Sequence, residues 1–162
     1  MQTKNIRHRA RRFVTQGIYQ WLLSHASAQE IERQLRDEPN FNKIDQAHFN
    51  ALLYGIIDQA DTLSQQLAPC LDRPANELSI VEHAVLLIGA YELAWHPDIP
   101  YRVVINEAIE LAKTYGSIDG YKYVNGVLNK LATQLRAEES SRCGSSRPSD
   151  TTAVPKNRAI SS

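Results

Sequence analysis

Two consecutive helical patterns between Asp98 and Leu128 constrain the fold more than any other part of the sequence. After Pro100, apolar residues recur at three- and four-residue spacing, the period of one face of an α-helix: Tyr101, Val104, Ile105, Ala108, Ile109 and Ala112. A second apolar stripe consists of Tyr123, Val124, Val127, Leu128, Leu131 and Leu135. Between the stripes, Gly116 is expected to end the first helix in the left-handed conformation, and Asp119 to cap the second. The segment therefore predicts two amphipathic helices joined by a tight polar loop.

The same period continues through most of the preceding chain. It predicts three further helices, over about Lys4–Ser24, Gln29–Arg36 and Asp45 to near Pro69. Another helix begins with the capping pattern Ser79-x-x-Glu82 and ends before His96-Pro97. Gly126, inside the last helix, predicts a close approach by another helix, because glycine in a helix costs about 1 kcal/mol relative to alanine. No segment shows β-strand alternation, so the prediction is an all-α fold, a compact bundle of about six to seven helices.

Composition changes after about residue 137, which sets the predicted domain boundary. Residues 1–137 have the length and apolar content of one helical domain, whereas 138–162 are rich in Ser, Arg, Thr and Pro and are predicted to be disordered. The two cysteines, Cys70 and Cys143, lie far apart, which favours a reducing compartment. No signal peptide is apparent, and the longest apolar run, residues 84–91, is too short to span a bilayer. We therefore expect a cytoplasmic protein with no membrane association.

Charge is distributed unevenly although the formal net charge is zero. The first twelve residues contain no acid and five basic residues: Lys4, Arg7, Arg9, Arg11 and Arg12. From Phe13 to Arg136 there are nine Lys or Arg and fifteen Asp or Glu. The basic residues also lack acidic neighbours three or four positions away, which a surface helix would normally include. This pattern predicts a local polyanion site, with tyrosines such as Tyr19 and Tyr123 as stacking surfaces; an ordinary solvated helix end is the alternative.

Patterns that indicate catalysis are weak. The five histidines are scattered, no Cys or His spacing fits a metal site, and no Gly-rich phosphate loop or nucleophile motif occurs. Glu107 and Glu110 lie three residues apart, and we interpret them as a solvated helix face beside Lys113 rather than as paired catalytic acids. The sequence predicts a protein that is not an enzyme and needs no metal or cofactor.

Three segments carry a resemblance to a known family. They are R-H-R-A-R-R-F-V-T-Q-G-I-Y-Q-W at residues 7–21, V-E-H-A-V-L-L-I-G-A-Y-E-L at 81–93, and P-Y-R-V-V-I-N-E-A-I-E-L-A-K-T-Y-G followed by Y-K-Y-V-N-G-V-L-N-K at 100–130. In this order and spacing they are similar to the NusB family of bacterial transcription antitermination factors. The similarity covers about residues 4–136.

The resemblance implies a bundle of two small helical subdomains with a non-enzymatic role. Members bind single-stranded boxA RNA together with NusE, a small-subunit ribosomal protein, and help RNA polymerase read through terminators, notably in ribosomal RNA operons. By position, the RNA-binding residues implied are Arg7, Arg9 and Arg11 with the neighbouring Lys4, together with Tyr19, Asp119 and Tyr123. Glu82 matches an acidic position on the surface that faces NusE.

Of two alternatives, the first stays open and the second is rejected. In the first, the chain is a protein-interaction scaffold whose arginines are only surface charge. In the second it is an RNA-modifying enzyme, because similar helical domains occur fused to RNA cytosine methyltransferases. The 162 residues contain no motif for a methyl-donor domain, so the scaffold is the stronger alternative.

Overall fold

The computed structural model describes residues 2–116 and 119–137, with side chains from residue 5 onward. This part of the chain is built from seven α-helices and contains no β-strand, which confirms the all-α prediction. The helices are α1 (Gln2–Ser24), α2 (Ala28–Arg36), α3 (Gln46–Asp58), α4 (Ala60–Leu67), α5 (Ile80–Trp95), α6 (Tyr101–Tyr115) and α7 (Gly120–Leu135). Short 3-10 turns lie at Phe41–Lys43, Ala68–Cys70 and Ala75–Glu77. The predicted tail, 138–162, lies outside the described residues, so the domain boundary stays a prediction.

Helix α5 is the centre of the bundle. Helices α1, α2 and α3 pack on one another, and α4, α6 and α7 pack around α5, which also contacts α1 and α3. This arrangement agrees with the two small subdomains that the resemblance implied. Seven consecutive residues of α5, from Ala84 to Ala90, are buried, because neighbouring helices cover it on every side. None of the described helices combines the length and apolar character that crossing a bilayer requires.

Side chains cap the starts of three helices. The Ser79 hydroxyl accepts a hydrogen bond from the Glu82 backbone N–H at 3.1 Å, which confirms the predicted start of α5. Ser27 does the same for α2, and the Asp45 carboxylate accepts from His48 N–H at 3.0 Å at the start of α3. Each cap satisfies a backbone donor that has no partner inside its helix.

One prediction about the loop between α6 and α7 is wrong, and a second is confirmed in position only, because Asp119 occupies the N-cap position of α7 without a capping bond. Gly116 is not left-handed: its φ is −105° and its ψ −170°, which is extended backbone. Its N–H donates to Ala112 O at 2.8 Å, so the last turn of α6 closes without a left-handed residue. Asp119 precedes α7 but its side chain accepts no capping bond; its Oδ1 lies 3.6 Å from Lys122 Nζ instead.

The long third helix predicted from Asp45 to near Pro69 is also wrong, because it is divided at Gln59. That residue has φ −104° and ψ 19°, outside helical values, and separates α3 from α4. The apolar pattern did not reveal the break because the same period continues across it. Leu63 and Leu67 in α4 are buried, like the core residues of α3.

The glycine that allows a close approach is not the one predicted. No atom of another element lies within 4 Å of the position that a Cβ would take at Gly126, and the residue is exposed. In α5, by contrast, a Cβ at Gly89 would lie 2.7 Å from Leu128 Cδ1. A Cβ at Gly55 in α3 would lie 2.1 Å from the Tyr91 hydroxyl oxygen. The close contacts of α5 with α7 and α3 therefore depend on Gly89 and Gly55.

We expect opposite effects from alanine at two of these positions. Gly126→Ala should raise the free energy of unfolding by about 1 kcal/mol, because alanine favours the helix more than glycine does and the new Cβ would meet no atom of another element. Gly89→Ala should lower it by about 1–3 kcal/mol, because Leu128 must move in a filled core. Urea unfolding with unchanged m-values measures both. Destabilisation by Gly126→Ala would show that this face of α7 is covered in solution.

Candidate nucleic-acid interface

The accessible face of α1 carries an exposed stripe that runs along most of the helix. Its members recur at three- and four-residue spacing, and all are exposed: Arg9, Arg12, Gln16, Tyr19 and Leu23. We call these five residues the outer stripe. Tyr19 is 40% exposed although it is aromatic. The stripe thus places two predicted RNA-binding residues, Arg9 and Tyr19, on one accessible surface.

The opposite flank of α1 is bound to acids of other helices and turns. Arg7 Nε lies 3.4 Å from Asp45 Oδ2, and this pair is only partly buried. His8 Nδ1 lies 2.7 Å from Glu107 Oε1. The acids that seemed to be missing near the basic residues are therefore present, but they come from elements distant in the sequence. The interpretation of Glu107 as part of a solvated face is wrong for the same reason.

Arg11 is buried rather than accessible. Its side chain is 4% exposed, and its Nε donates to both oxygens of Glu92, at 3.1 and 2.9 Å. His48 Nε2 lies 2.8 Å from Glu92 Oε2, and Arg11 Nη1 lies 3.4 Å from Glu107. Burial alone would raise the pKa of Glu92, but the hydrogen bonds and charges of His48 and Arg11 outweigh it and lower that pKa. Arg11 therefore orients α1 on α5, and its buried guanidinium does not support the RNA contact that the resemblance implied.

A cleft beside Tyr19 links α1 to the end of α6. It is lined by Thr15, Gln16, Tyr19, Val81 and Tyr115. Gln16 Nε2 donates to the Tyr115 hydroxyl at 3.4 Å, which connects the two helices across the cleft. Two further predicted residues are close in the sequence to residues that line this cleft. Glu82 directly follows Val81 and is half-buried in the first turn of α5. Asp119 is exposed and comes four residues after Tyr115.

Tyr123 is held against the segment between α4 and α5. The Arg73 guanidinium lies over its ring, 4.5 Å from the centroid, and the Asp72 backbone N–H donates to its hydroxyl at 3.3 Å. One face of the ring is therefore already occupied by a cation. The prediction that Tyr123 and α1 form two sides of one site stays a prediction. The side chain of Lys4 lies outside the described residues.

Arg12 was counted in the basic segment but was not assigned an RNA contact, and Gln16 and Tyr115 were missed as parts of this surface. A signal for the first two was present, because positions 9, 12, 16 and 19 fall on one face of a helix whose core positions are Ala10, Val14 and Ile18. No comparable signal existed for Tyr115, which reaches α1 only through the tertiary fold.

Among the described residues, no group of three His, Cys, Asp or Glu side chains could hold a metal ion.

Comparisons with known proteins agree with this structure. Residues 8–133 match the sequence model of the NusB family. The transcription antitermination protein NusB of Paraburkholderia phymatum is 59% identical over 137 residues, which cover 85% of this chain and 94% of that protein. The NusB of Ralstonia pickettii is 58% identical over 136 residues, which cover 84% of this chain and 88% of that protein. A solved structure of T. maritima NusB superposes with a TM-score of 0.73 at 28% identity, covering 83% of this chain and 96% of that one. The chain belongs to the NusB family.

Proposed function

We propose that this protein acts in transcription antitermination by binding single-stranded boxA RNA together with NusE, without catalysis. Support comes from its relatives, which are named transcription antitermination proteins. The complex would act on RNA polymerase in the bacterial cytoplasm, notably on ribosomal RNA operons. No metal or cofactor takes part in this role.

The observation that carries the proposal is the outer stripe of α1. Arg9 and Tyr19 are exposed there, whereas Arg7, His8 and Arg11 bind acids of the protein itself. An arginine can bind a phosphate with two hydrogen bonds, and an exposed tyrosine ring can stack on an unpaired base. A helix that presents both on one face is suited to single-stranded RNA.

The other predicted residues have different roles in the proposal. Arg7 and Lys4 extend the positive charge toward the start of α1, while Arg11 acts only by orienting the helix. Asp119 and Tyr123 are proposed to contact RNA at the start of α7. Glu82, which follows the cleft residue Val81 in the sequence, is proposed to bind NusE.

An RNA titration with and without NusE tests the proposal. Wild-type protein with NusE should prefer a boxA oligonucleotide to a scrambled one. Tyr19→Ala should weaken this binding about tenfold, since losing one base stack costs about 1–3 kcal/mol. Trp95→Ala is a matched control, because Trp95 is also 40% exposed but lies at the far end of α5. Equal affinity for the two oligonucleotides would contradict the proposal.

The pairing of Arg7, His8 and Arg11 with acids supports a second candidate, a protein-interaction scaffold without RNA readout. In that case Glu82→Lys should abolish binding of NusE, while Arg9→Gln and Tyr19→Ala change nothing. RNA binding by the Arg9→Gln and Tyr19→Ala variants, measured beside their binding of NusE without RNA, separates the two candidates. Under the leading proposal, Arg9→Gln should weaken RNA binding while leaving binding of NusE unchanged.

A further inference from the structure

An open basic groove lies beside α1, between this helix and the turn that follows α2. It has a volume of about 350 Å³ and is lined by Arg9, Arg12, Phe13, Gln16, Pro39, Asn40 and Lys43. Three of these residues are cations and none is an acid. The acidic residues that precede the turn, Asp37 and Glu38, are exposed and do not line the groove. We name it the Arg12 groove.

The cations of the Arg12 groove differ from those on the other flank of α1. In the part of the chain that the structure describes, no side-chain hydrogen bond or ion pair engages the Arg12 guanidinium or the Lys43 ammonium. Arg9 uses one N–H, with its Nη1 donating to the Lys43 carbonyl oxygen at 3.3 Å. Two unpaired cations facing one groove repel each other, and an anion between them relieves that repulsion.

The walls of the groove are held in place by the fold. Phe13 packs edge-on against the buried Phe41, with ring centroids 5.3 Å apart. Asn40 has a φ of 70°, which asparagine tolerates better than most residues, and its carbonyl accepts from Lys43 N–H at 3.0 Å. The backbone turn that carries Lys43 is therefore ordered before any ligand binds. Binding of an anion in the groove then does not have to include the free-energy cost of ordering this turn.

The Arg12 groove and the cleft beside Tyr19 are neighbouring depressions that share one lining residue. Gln16 lines both, and it lies between Arg12 and Tyr19 on the outer stripe. Arg12 and Tyr19 are seven residues apart, or about 10 Å along the helix. A strand whose base stacks on Tyr19 can therefore pass Gln16 and place its neighbouring phosphates in the groove.

We propose that the Arg12 groove binds backbone phosphates of single-stranded RNA, with Arg12 and Lys43 as the main ligands and Arg9 as a third. The inference rests on the proposed RNA-binding function and extends its site to Lys43 and to Arg12, neither of which was among the RNA-binding residues implied by the resemblance. The groove contributes charge rather than sequence readout, because phosphate contacts carry no base information. Its contribution should therefore be the same for any sequence that flanks the recognised RNA.

The test compares Arg12→Gln and Lys43→Gln with Arg33→Gln, an exposed cation of α2 that does not line the groove. Each protein, with NusE, is titrated at several salt concentrations with the boxA oligonucleotide extended by unrelated nucleotides at both ends. The slope of log affinity against log salt should become shallower by about 0.7 for each groove variant, the value for one phosphate contact on a single strand. Arg33→Gln should keep the wild-type slope. Both groove side chains are exposed, so thermal unfolding should be unchanged.

Two other outcomes separate the two proposals. If wild-type protein prefers boxA RNA but both groove variants keep its slope and affinity, the groove inference is wrong and the proposed function stands. If wild-type protein with NusE shows no preference for boxA RNA over the scrambled oligonucleotide, the proposed function fails, and the groove inference fails with it.

Discussion

Arg11→Met is expected to lower the free energy of unfolding by about 3–5 kcal/mol, because it leaves the Glu92 carboxylate buried without its main cationic partner. Glu92 is 1% exposed, and His48 would be its one remaining side-chain hydrogen-bond partner among the described residues. Arg12→Met, one residue along the same helix, is the control. Arg12 is exposed, so its replacement should change stability by less than about 0.5 kcal/mol.

Urea unfolding of both variants and of the double variant Arg11→Met/Glu92→Met measures this effect. The double variant should be more stable than Arg11→Met alone, because removing both partners leaves no unpaired buried charge. If Arg11→Met is as stable as wild type and specifically loses RNA binding, the internal role assigned to Arg11 is wrong. RNA binding must be measured at a temperature at which the variant is folded, because an unfolded variant loses RNA binding whatever the role of Arg11.

The second large effect is expected at Arg136, the residue that follows α7. Its Nε donates to Leu93 O at 2.9 Å, its Nη1 to Ile99 O at 2.9 Å, and its Nη2 to His96 O at 2.9 Å and Glu92 O at 3.3 Å. These carbonyls belong to the end of α5 and the turn after it. Glu92 O also accepts from the His96 N–H and His96 O from the Ile99 N–H, whereas among the described residues Leu93 O and Ile99 O have no donor other than Arg136. The cation also lies at the negative end of the α5 dipole.

Arg136→Met should therefore lower the free energy of unfolding by about 2–6 kcal/mol, since it leaves two buried acceptors, Leu93 O and Ile99 O, unsatisfied at about 1–3 kcal/mol each. Arg136→Lys keeps the charge but cannot reproduce the planar fork, so it should recover only a small part of the loss. A chain that ends at Ala137 should be as stable as the full chain, whereas one that ends at Leu135 should resemble Arg136→Met. If Arg136→Lys is as stable as wild type, the positive charge alone is sufficient and the planar guanidinium is not needed.

The apolar period predicted the helices well because it reports burial directly. It located α1, α5, α6 and α7 to within a few residues, and Ser79 fixed the start of α5 through local hydrogen bonding. It did not locate the break at Gln59 or the extended backbone of Gly116. Those backbone angles depend on how the neighbouring helices pack, and no local residue signals them.

The candidate site was less predictable than the fold, because the charges of α1 are paired over long distances. Arg11 and Arg12 are adjacent and chemically identical, yet one is buried and the other exposed. One signal was available: Arg11 is four residues from Thr15 and seven from Ile18, both buried, so it lies on the core side of α1. Its partner, Glu92, stands 81 residues away within an apolar segment, which suggests a buried cation but does not identify it.

The Arg11–Glu92 pair also determines when α1 can take its final place during synthesis. The ribosome makes α1 first, but Glu92 follows Arg11 by 81 residues, or about 4–16 s at translation rates of about 5–20 residues per second. Until then the N-terminal cations lack the carboxylate that fixes the helix, and Arg136 comes 44 residues later still. The exposed stripe at the start of the chain is therefore held in its final orientation only after α5 has been made, so the proposed RNA surface depends on residues from the second half of the domain.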